Sequence, residues 1–451
     1  MARIKISIFE LAIIGLAFAG SRTLIALYGI TPNPIYILNH WQHADLFFLE
    51  FWPFETLWNL HSQPPLWNAF IALVVGFAGN DAESVSSIFK WIFTGFSFVN
   101  LLLFRNIFQR IGLFDWWATL AAIVIVMTPS VIYYENFAFY PQFTFTLITV
   151  LLWLLVRIST DASLLPIIGA LLVLTCLAWT WAIFHPLIIL FISLTILWKA
   201  GRLLWPAGLL LVLLFGIISS LPAAKNQINY GIPSASTWLG FNMAQVAPDF
   251  SEEEKTHCAL GPTIKSISEQ GGLFNPSVFP TLSTTKKSSG YFNMNNEALV
   301  ARSAECLSLA RAHIRENFGQ YVREGLDRIW RNHQTRPYDY FLPPLGWENV
   351  SAFIKRNTMM IGGMSLSFYV AMWVFCVYQM ARGPDQKLYF ILLVVLGYFA
   401  FASHFGNGGE QQRMRYTIEP IYMFLAVGLL HRLAGFALRN RQLSRTYSQQ
   451  P

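Results

Sequence analysis

Long apolar runs separated by short polar turns dominate this chain, and about ten of them approach the roughly 20 residues that a helix needs to cross a bilayer. They fall near 6–28, 85–105, 116–133, 141–157, 163–180, 186–200, 204–222, 357–381, 386–404 and 417–437. One further run, 65–79, is short for a span and starts behind Pro64-Pro65, which suits a juxtamembrane helix lying along the surface. Between 223 and 355 the pattern turns to mixed polar sequence. There Phe318, Val322, Leu326 and Ile329 recur at three- and four-residue steps among Arg323, Asp327, Arg328 and Arg331, which predicts an amphipathic helix resting that face on something apolar. The stretch from Gly271 to Asn296 reads as loop from its Gly, Pro, Ser and Asn content. The expected architecture is all-α and polytopic. Residues 1–222 form an N-terminal transmembrane module whose first external loop is 29–84. Residues 223–355 form an external, partly helical segment, and 356–451 supply C-terminal spans and a basic tail.

Lys and Arg in short loops mark the cytoplasmic side of a membrane protein. With 65–79 left out of the span count, Arg3 and Lys5, Arg105 and Arg110, Arg157, Lys199 and Arg202, Arg382 and Lys387, and Arg432, Arg439, Arg441 and Arg445 all fall on one side. Both termini are then cytoplasmic. The opposite, extracytoplasmic face receives 29–84, the turns at 133–141 and 179–185, the 223–355 segment and 403–416. Counting 65–79 as a span would send Arg105 and Arg110 to the side opposite Arg3 and Lys5.

Composition agrees with this class: 55% of residues are hydrophobic and 12% charged, against roughly 25% charged in soluble domains. A soluble protein is excluded. The formal net charge of +7 follows from the loop arginines and implies no nucleic-acid partner. The first apolar run lacks a small-residue cleavage site followed by a soluble domain and reads as a first anchor. Cys176 and Cys376 lie inside predicted spans, whereas Cys258 and Cys306 share the external segment, where an oxidising compartment permits a disulfide between them.

The chemistry-bearing residues gather on the external face. Asp45, in His40-Trp41-Gln42-His43-Ala44-Asp45, is a carboxylate in aromatic surroundings, suited either to taking a proton from an attacking hydroxyl or to capping a short helix. Downstream, His61-Ser62-Gln63-Pro64-Pro65-Leu66 fixes the backbone twice by proline and holds His61 and Gln63 at a set angle. Glu135 and His185 sit in tight turns at outer span ends. With Asp45 they offer carboxylate and imidazole ligands to a divalent cation such as Mg or Mn, although their spacing carries no metal signature. Near the outer end of a late span, Glu410-Gln411-Gln412-Arg413-Met414-Arg415 places two arginines beside a glycine turn. Arg413 and Arg415 suit bidentate contact with phosphate. Arg22, near the outer end of the first span, is a lesser candidate for the same task.

Asp45, the His61–Leu66 step, Tyr134-Glu135-Asn136 and the Glu410–Pro420 stretch together resemble the GT-C superfamily of membrane glycosyltransferases. The branch they look most like is that of bacterial protein mannosyltransferases and aminoarabinose transferases. Lys225-Asn226-Gln227 and Ser236-Thr237-Trp238-Leu239-Gly240 are similar to sequence in that group too. The resemblance implies a polyprenyl-phosphate sugar donor, an external active site and inverting transfer to a hydroxyl of a glycan, lipid or protein acceptor. On it, Asp45 is the general base, Arg413 and Arg415 hold the donor phosphate, and His61, Gln63, Glu135, Glu410 and Arg22 contact substrate or a cation. The chain departs from the family where a second acid often follows the first, here Leu46, and in reading Gln-Pro-Pro at the proline step. Transport of a lipid-linked sugar, acyl transfer and glycan ligation are the rival readings; few ionisable residues lie at mid-span, which favours chemistry at the surface.

Overall fold

The computed structural model describes residues 8–27, 32, 34–40, 42–158, 163–201, 204–259, 263, 279–334, 358–406 and 411–448. Arg3, Lys5, Arg202 and Glu410 lie outside the described residues. The first helix, α1 (Ile8–Leu27), leads to the short helices α2 (Ile35–Asn39), α3 (Leu46–Phe51) and α4 (Pro53–Asn59), then to α5 (Pro65–Ala78). Next come α6 (Ala82–Arg110), α7 (Asp115–Val126), α8 (Pro129–Glu135), α9 (Pro141–Ile158), α10 (Leu164–Thr180), α11 (Pro186–Ala200) and α12 (Trp205–Tyr230). The polar segment supplies α13 (Leu239–Ala244), α14 (Glu252–Cys258), α15 (Pro280–Ser283), α16 (Ala298–Glu316) and α17 (Phe318–Gln334). They are followed by α18 (Thr358–Arg382), α19 (Gln386–Phe405) and α20 (Gln411–Ser448). Among the described residues the sole β pairing is a bridge between Lys286 and Phe292.

The protein is an integral, multi-pass, all-helical membrane protein. Seven described helices are long and apolar enough to cross a membrane, and α7 with α8 makes an eighth crossing if the bent pair is one span. Each of the ten predicted spans coincides with a helix or this pair, but α10 and α11 have only 17 and 15 residues. The run 65–79 is a 14-residue helix whose first residue is Pro65, where a missing N–H costs nothing. The predicted span 116–133 is broken by 58°. Its cause is local: Thr128, preceding Pro129, takes an extended conformation, because proline clashes with a helical predecessor.

The core is built around α9, which packs against α6, α10 and α20. It is buried on nearly every side, and its threonines satisfy themselves, Thr146 donating to Gln142 O and Thr149 to Phe145 O. Apolar residues all round with self-bonded hydroxyls are what a central helix requires. By contrast α1 leaves Leu16, Leu24 and Leu27 exposed, as a helix at the lipid boundary does.

A second cluster gathers Trp238, Phe241, Phe250, Met294 and Leu299 around Cys258 and Cys306, which are disulfide-bonded with Cα atoms 5.7 Å apart. Here α13 lies directly on α16. Gly240 N donates to Ser303 Oγ at 3.1 Å, and a Cβ on Gly240 would stand 1.7 Å from the Ser303 carbonyl oxygen. That oxygen belongs to helix backbone and cannot swing away. Gly240→Ala is therefore expected to force α13 off α16 and cost about 1–3 kcal/mol, read as a lower unfolding midpoint in detergent. An unchanged midpoint would show that the helices separate freely.

The amphipathic helix α17 packs on α18 and α19 with Val322 and Ile329 of the predicted face against Val246, Tyr321 and Phe405, but the other two residues of that face turn outward. Phe318 and Leu326 are 62% and 57% exposed, whereas Tyr321 is buried and donates to Phe405 O, and Arg328 donates to His404 O at 3.0 Å. Gly325 decides this: a side chain there would collide with the Phe405 ring, so the helix is seated through its gap.

Candidate active site

The loop carrying Asp45 is fixed from below by α5. Asn68, on the first turns of that helix, accepts from Ala44 N at 2.7 Å and donates to Gln42 O at 3.1 Å, and it is fully buried. The Pro64-Pro65 step thus starts a helix whose early residues, Trp67 and Asn68, floor the loop. Trp67 packs against His43 and Tyr140. Gln42 N bonds His40 Nδ1 at 3.3 Å, and the His40 ring lies over Phe139 with centroids 3.7 Å apart.

Asp45 is 5% exposed and caps α3, its Oδ1 accepting from Phe47 N at 3.0 Å. The capping role foreseen for it is therefore real, but it does not exhaust the carboxylate. Ser288 donates its backbone N–H to Oδ2 at 2.5 Å and its hydroxyl to Oδ1 at 2.6 Å. Beside it Lys287 runs inward, donating to His40 O at 3.0 Å and Leu38 O at 3.2 Å. Burial brings the Lys287 ammonium down to about 8 against the pull of Asp45. These two residues come from a short turn, closed by the Lys286–Phe292 bridge and by Gly290 at φ +81°, within the segment predicted as loop.

The imidazoles around Asp45 are neutral. Burial, reinforced by Lys287, pushes His43 down to about 3, and burial lowers His40 well below its usual value, with His43, Arg413 and Lys287 adding to it. His40 thus lies within electrostatic reach of both Lys287 and Arg413, which ties the late arginine to the first loop.

Arg413 is 4% exposed. Its guanidinium lies 5.0 Å from the Phe139 and Trp181 ring centroids and 5.2 Å from that of Tyr140, and it donates to Gln42 Oε1 at 3.4 Å. Three aromatic faces thus surround one delocalised cation, the geometry that a planar guanidinium accepts. Farther along α20, Tyr416 donates to Gln142 Oε1, whose amide in turn donates to Ser97 at 2.9 Å, and Thr417 meets Thr144 at 3.1 Å. These bonds register α20 on α9. Arg415 lies over a different ring, Tyr369, at 5.5 Å, as expected of residues two apart on a helix.

The remaining sequence candidates do other work. His61 accepts Thr237 N on its carbonyl at 3.0 Å, gives its own N–H to Asn295 at 2.8 Å, and sets its ring against Thr237 Oγ1 at 2.7 Å and the Tyr230 ring. Ser236 donates to Ser62 O at 2.6 Å and Lys225 to Leu60 O. The proline step is therefore clamped by the segment that begins at Lys225. Gln63 is buried within the same turn.

Glu135 and Arg22 are spent on each other as a buried ion pair. Arg22 Nη2 also donates to Val126 O at 2.9 Å, one of the carbonyls left without a helical partner by the break at Pro129. His185 caps α11, Nδ1 accepting from Leu187 N at 3.3 Å. The set Asp45, Glu135 and His185 is therefore corrected: Ser288, Arg22 and the α11 backbone hold them separately. Among the described residues no group of three or more His, Cys, Asp or Glu is placed for a metal ion.

Burial also lowers His61, to about 4. Folded His43 and His61 stay neutral while the unfolded chain takes up protons from 6.5 downward. Their stabilising effect is full above that value and is lost as pH falls toward the folded values. Each imidazole is expected to remove up to about 1.4 kcal/mol per pH unit in that window. Thermal unfolding in detergent across a pH series checks this; a flat profile from about pH 7 to about pH 4.5 would refute it.

Sequence reasoning missed Lys287, Ser288, Asn68, Phe139, Tyr140 and Trp181. Asn68, behind the proline step, and Trp181, in the turn before His185, stood within stretches that drew notice. No protein-family profile matches the chain, and no curated protein matches it. Among solved structures it is similar to the archaeal oligosaccharyltransferase AglB from Archaeoglobus fulgidus in complex with an inhibitory peptide and a dolichol-phosphate: TM-score 0.45, 13% identity, over 99% of this chain and 53% of that one. An Archaeoglobus fulgidus oligosaccharyltransferase in complex with Zn and sulfate is similar with TM-score 0.39 and 12% identity, over 95% of this chain and 51% of that one. The chain spans about half the length of these structures. A likeness of this size says nothing about activity.

Proposed function

We propose that this protein is an inverting glycosyltransferase that moves a sugar from a polyprenyl-phosphate donor to an acceptor hydroxyl at the outer membrane face. One observation carries the reading: a buried carboxylate, Asp45, already receives a hydroxyl, that of Ser288, at 2.6 Å. An acceptor hydroxyl in the place of Ser288 Oγ gives its proton to Asp45 and attacks the anomeric carbon. The bond from that carbon to the phosphate oxygen breaks, and the lipid phosphate leaves toward Arg413. A single displacement inverts the anomeric centre. Arg413, in its aromatic box, stabilises the charge that grows on the departing phosphate without needing to reorient. Arg415 serves the same lipid phosphate from the Tyr369 side.

In this reading Asn68, His61 and Gln63 position the loop and touch no substrate, and Arg22 with Glu135 braces the broken span. Residues 1–222 and 356–451 form the membrane module, with both termini cytoplasmic in a bacterial inner membrane, and 223–355 lies outside. Purified protein incubated with polyprenyl-phosphate sugars and glycan, lipid or peptide hydroxyl acceptors is expected to release polyprenyl phosphate and form an inverted glycoside. Failure to consume any such donor would overturn the proposal.

A further inference from the structure

At the end of the bundle that carries Arg110, Arg382 and Arg432, α18 and α20 enclose with Ile111 a cavity of about 920 Å³. Val374, Phe375, Leu433 and Phe436 give it apolar walls, and Gln379, His431 and Arg432 stand in it as polar groups. Among the described residues no Asp or Glu lines it. Gln379 is fully buried, its Oε1 accepting from Arg432 at 3.3 Å while its Nε2 has no hydrogen-bond partner among the described residues. A buried amide donor without a partner is costly, and here it borders a space beside an exposed guanidinium and an exposed imidazole.

We infer that this groove binds one anionic phospholipid. Its acyl chain lies along Val374, Phe375, Leu433 and Phe436, and its phosphate sits by Arg432 and His431 with Gln379 Nε2 donating to a phosphate or ester oxygen. The walls select a lipid over a soluble anion, since Val374, Leu433 and Phe436 are largely exposed on helices apolar enough to cross the membrane. The charge selects an anionic headgroup: a zwitterionic one would bring a cation to a rim with basic side chains and no carboxylate. The inference is independent of Asp45 and of glycosyl transfer.

The test uses full-length protein in an uncharged detergent, with phosphatidylglycerol, phosphatidylcholine or inorganic phosphate added separately, read by native mass spectrometry and by unfolding midpoint. Phosphatidylglycerol is expected to remain bound at one per chain and to raise the midpoint. Arg432→Gln is expected to weaken its retention about fivefold. Val374→Trp, at an exposed position that leaves the cations intact, is expected to block the chain and reduce retention too. Equal retention of phosphatidylcholine, undiminished retention in both variants, or an equal midpoint rise with inorganic phosphate alone would overturn the inference.

Discussion

Replacing Asp45 by Asn is expected to lower sugar transfer about 10²–10⁴-fold, the range that a positioned base contributes, while costing about 1–3 kcal/mol of stability for the Ser288 N–H it leaves unpaired. Asn has the same shape and caps a helix as well as Asp does, so the bond from Phe47 N to the side chain at 3.0 Å survives. What disappears is the ability to hold a proton. An amide cannot accept both the hydroxyl and the N–H that Ser288 presents to the two carboxylate oxygens, because one of its two heavy atoms is itself a donor. The measurement is a rate of polyprenyl-phosphate release at saturating donor, beside an unfolding midpoint for the same preparation. Unreduced transfer would remove Asp45 as the base. A collapse in both rate and midpoint would show that its main service is structural.

Arg413→Gln is expected to reduce transfer efficiency about 10²–10³-fold, as loss of one preorganised charge-stabilising group does, and Arg413→Lys is expected to recover little of it. A guanidinium is flat and weakly hydrated and can lie among Phe139, Tyr140 and Trp181; an ammonium is compact, strongly hydrated and geometrically different. Rates measured across donor concentrations separate the cases. Full activity in Arg413→Gln would shift the phosphate role to Arg415 or away from arginine altogether. Full rescue by lysine would show that charge alone matters and that the aromatic box is packing.

The helices were legible because hydropathy acts locally: a helix or bent helix pair stands at each of the ten runs, seven of them long and apolar enough to cross. The break in 116–133 was missed although Thr128-Pro129 stands inside it, because an apolar run counted by length hides a proline. Half of the α17 face was legible, Val322 and Ile329 packing as expected; Phe318 and Leu326 were misread because close packing favours the missing side chain of Gly325 against Phe405. In the site, Asp45 and Arg413 could be singled out by residue type, and His40 feels both Arg413 and Lys287. Ser288 could not be found that way: it meets Asp45 across 243 positions of chain, from a stretch with no periodicity to read. The metal set failed for a related reason. Composition shows which residues can ligate, not that Glu135 is already committed to Arg22.

The turn that brings Ser288 to Asp45 also bears on waste. An enzyme that stores a lipid-linked sugar beside a competent base invites water to take the place of the acceptor. Phe47 N–H and the tethered Ser288 hydroxyl take both lone pairs of Asp45 Oδ1, and the Ser288 N–H takes one of the two on Oδ2, so a single lone pair faces whatever enters while no acceptor is bound. The same tether lowers apparent acceptor affinity by the fraction of time the carboxylate is uncovered. Slow, acceptor-independent release of polyprenyl phosphate by the intact protein is the expected signature, and rapid release would show the cover to be ineffective. On the proposed reading, a weaker grip on acceptor is the counterpart of slower donor hydrolysis at rest.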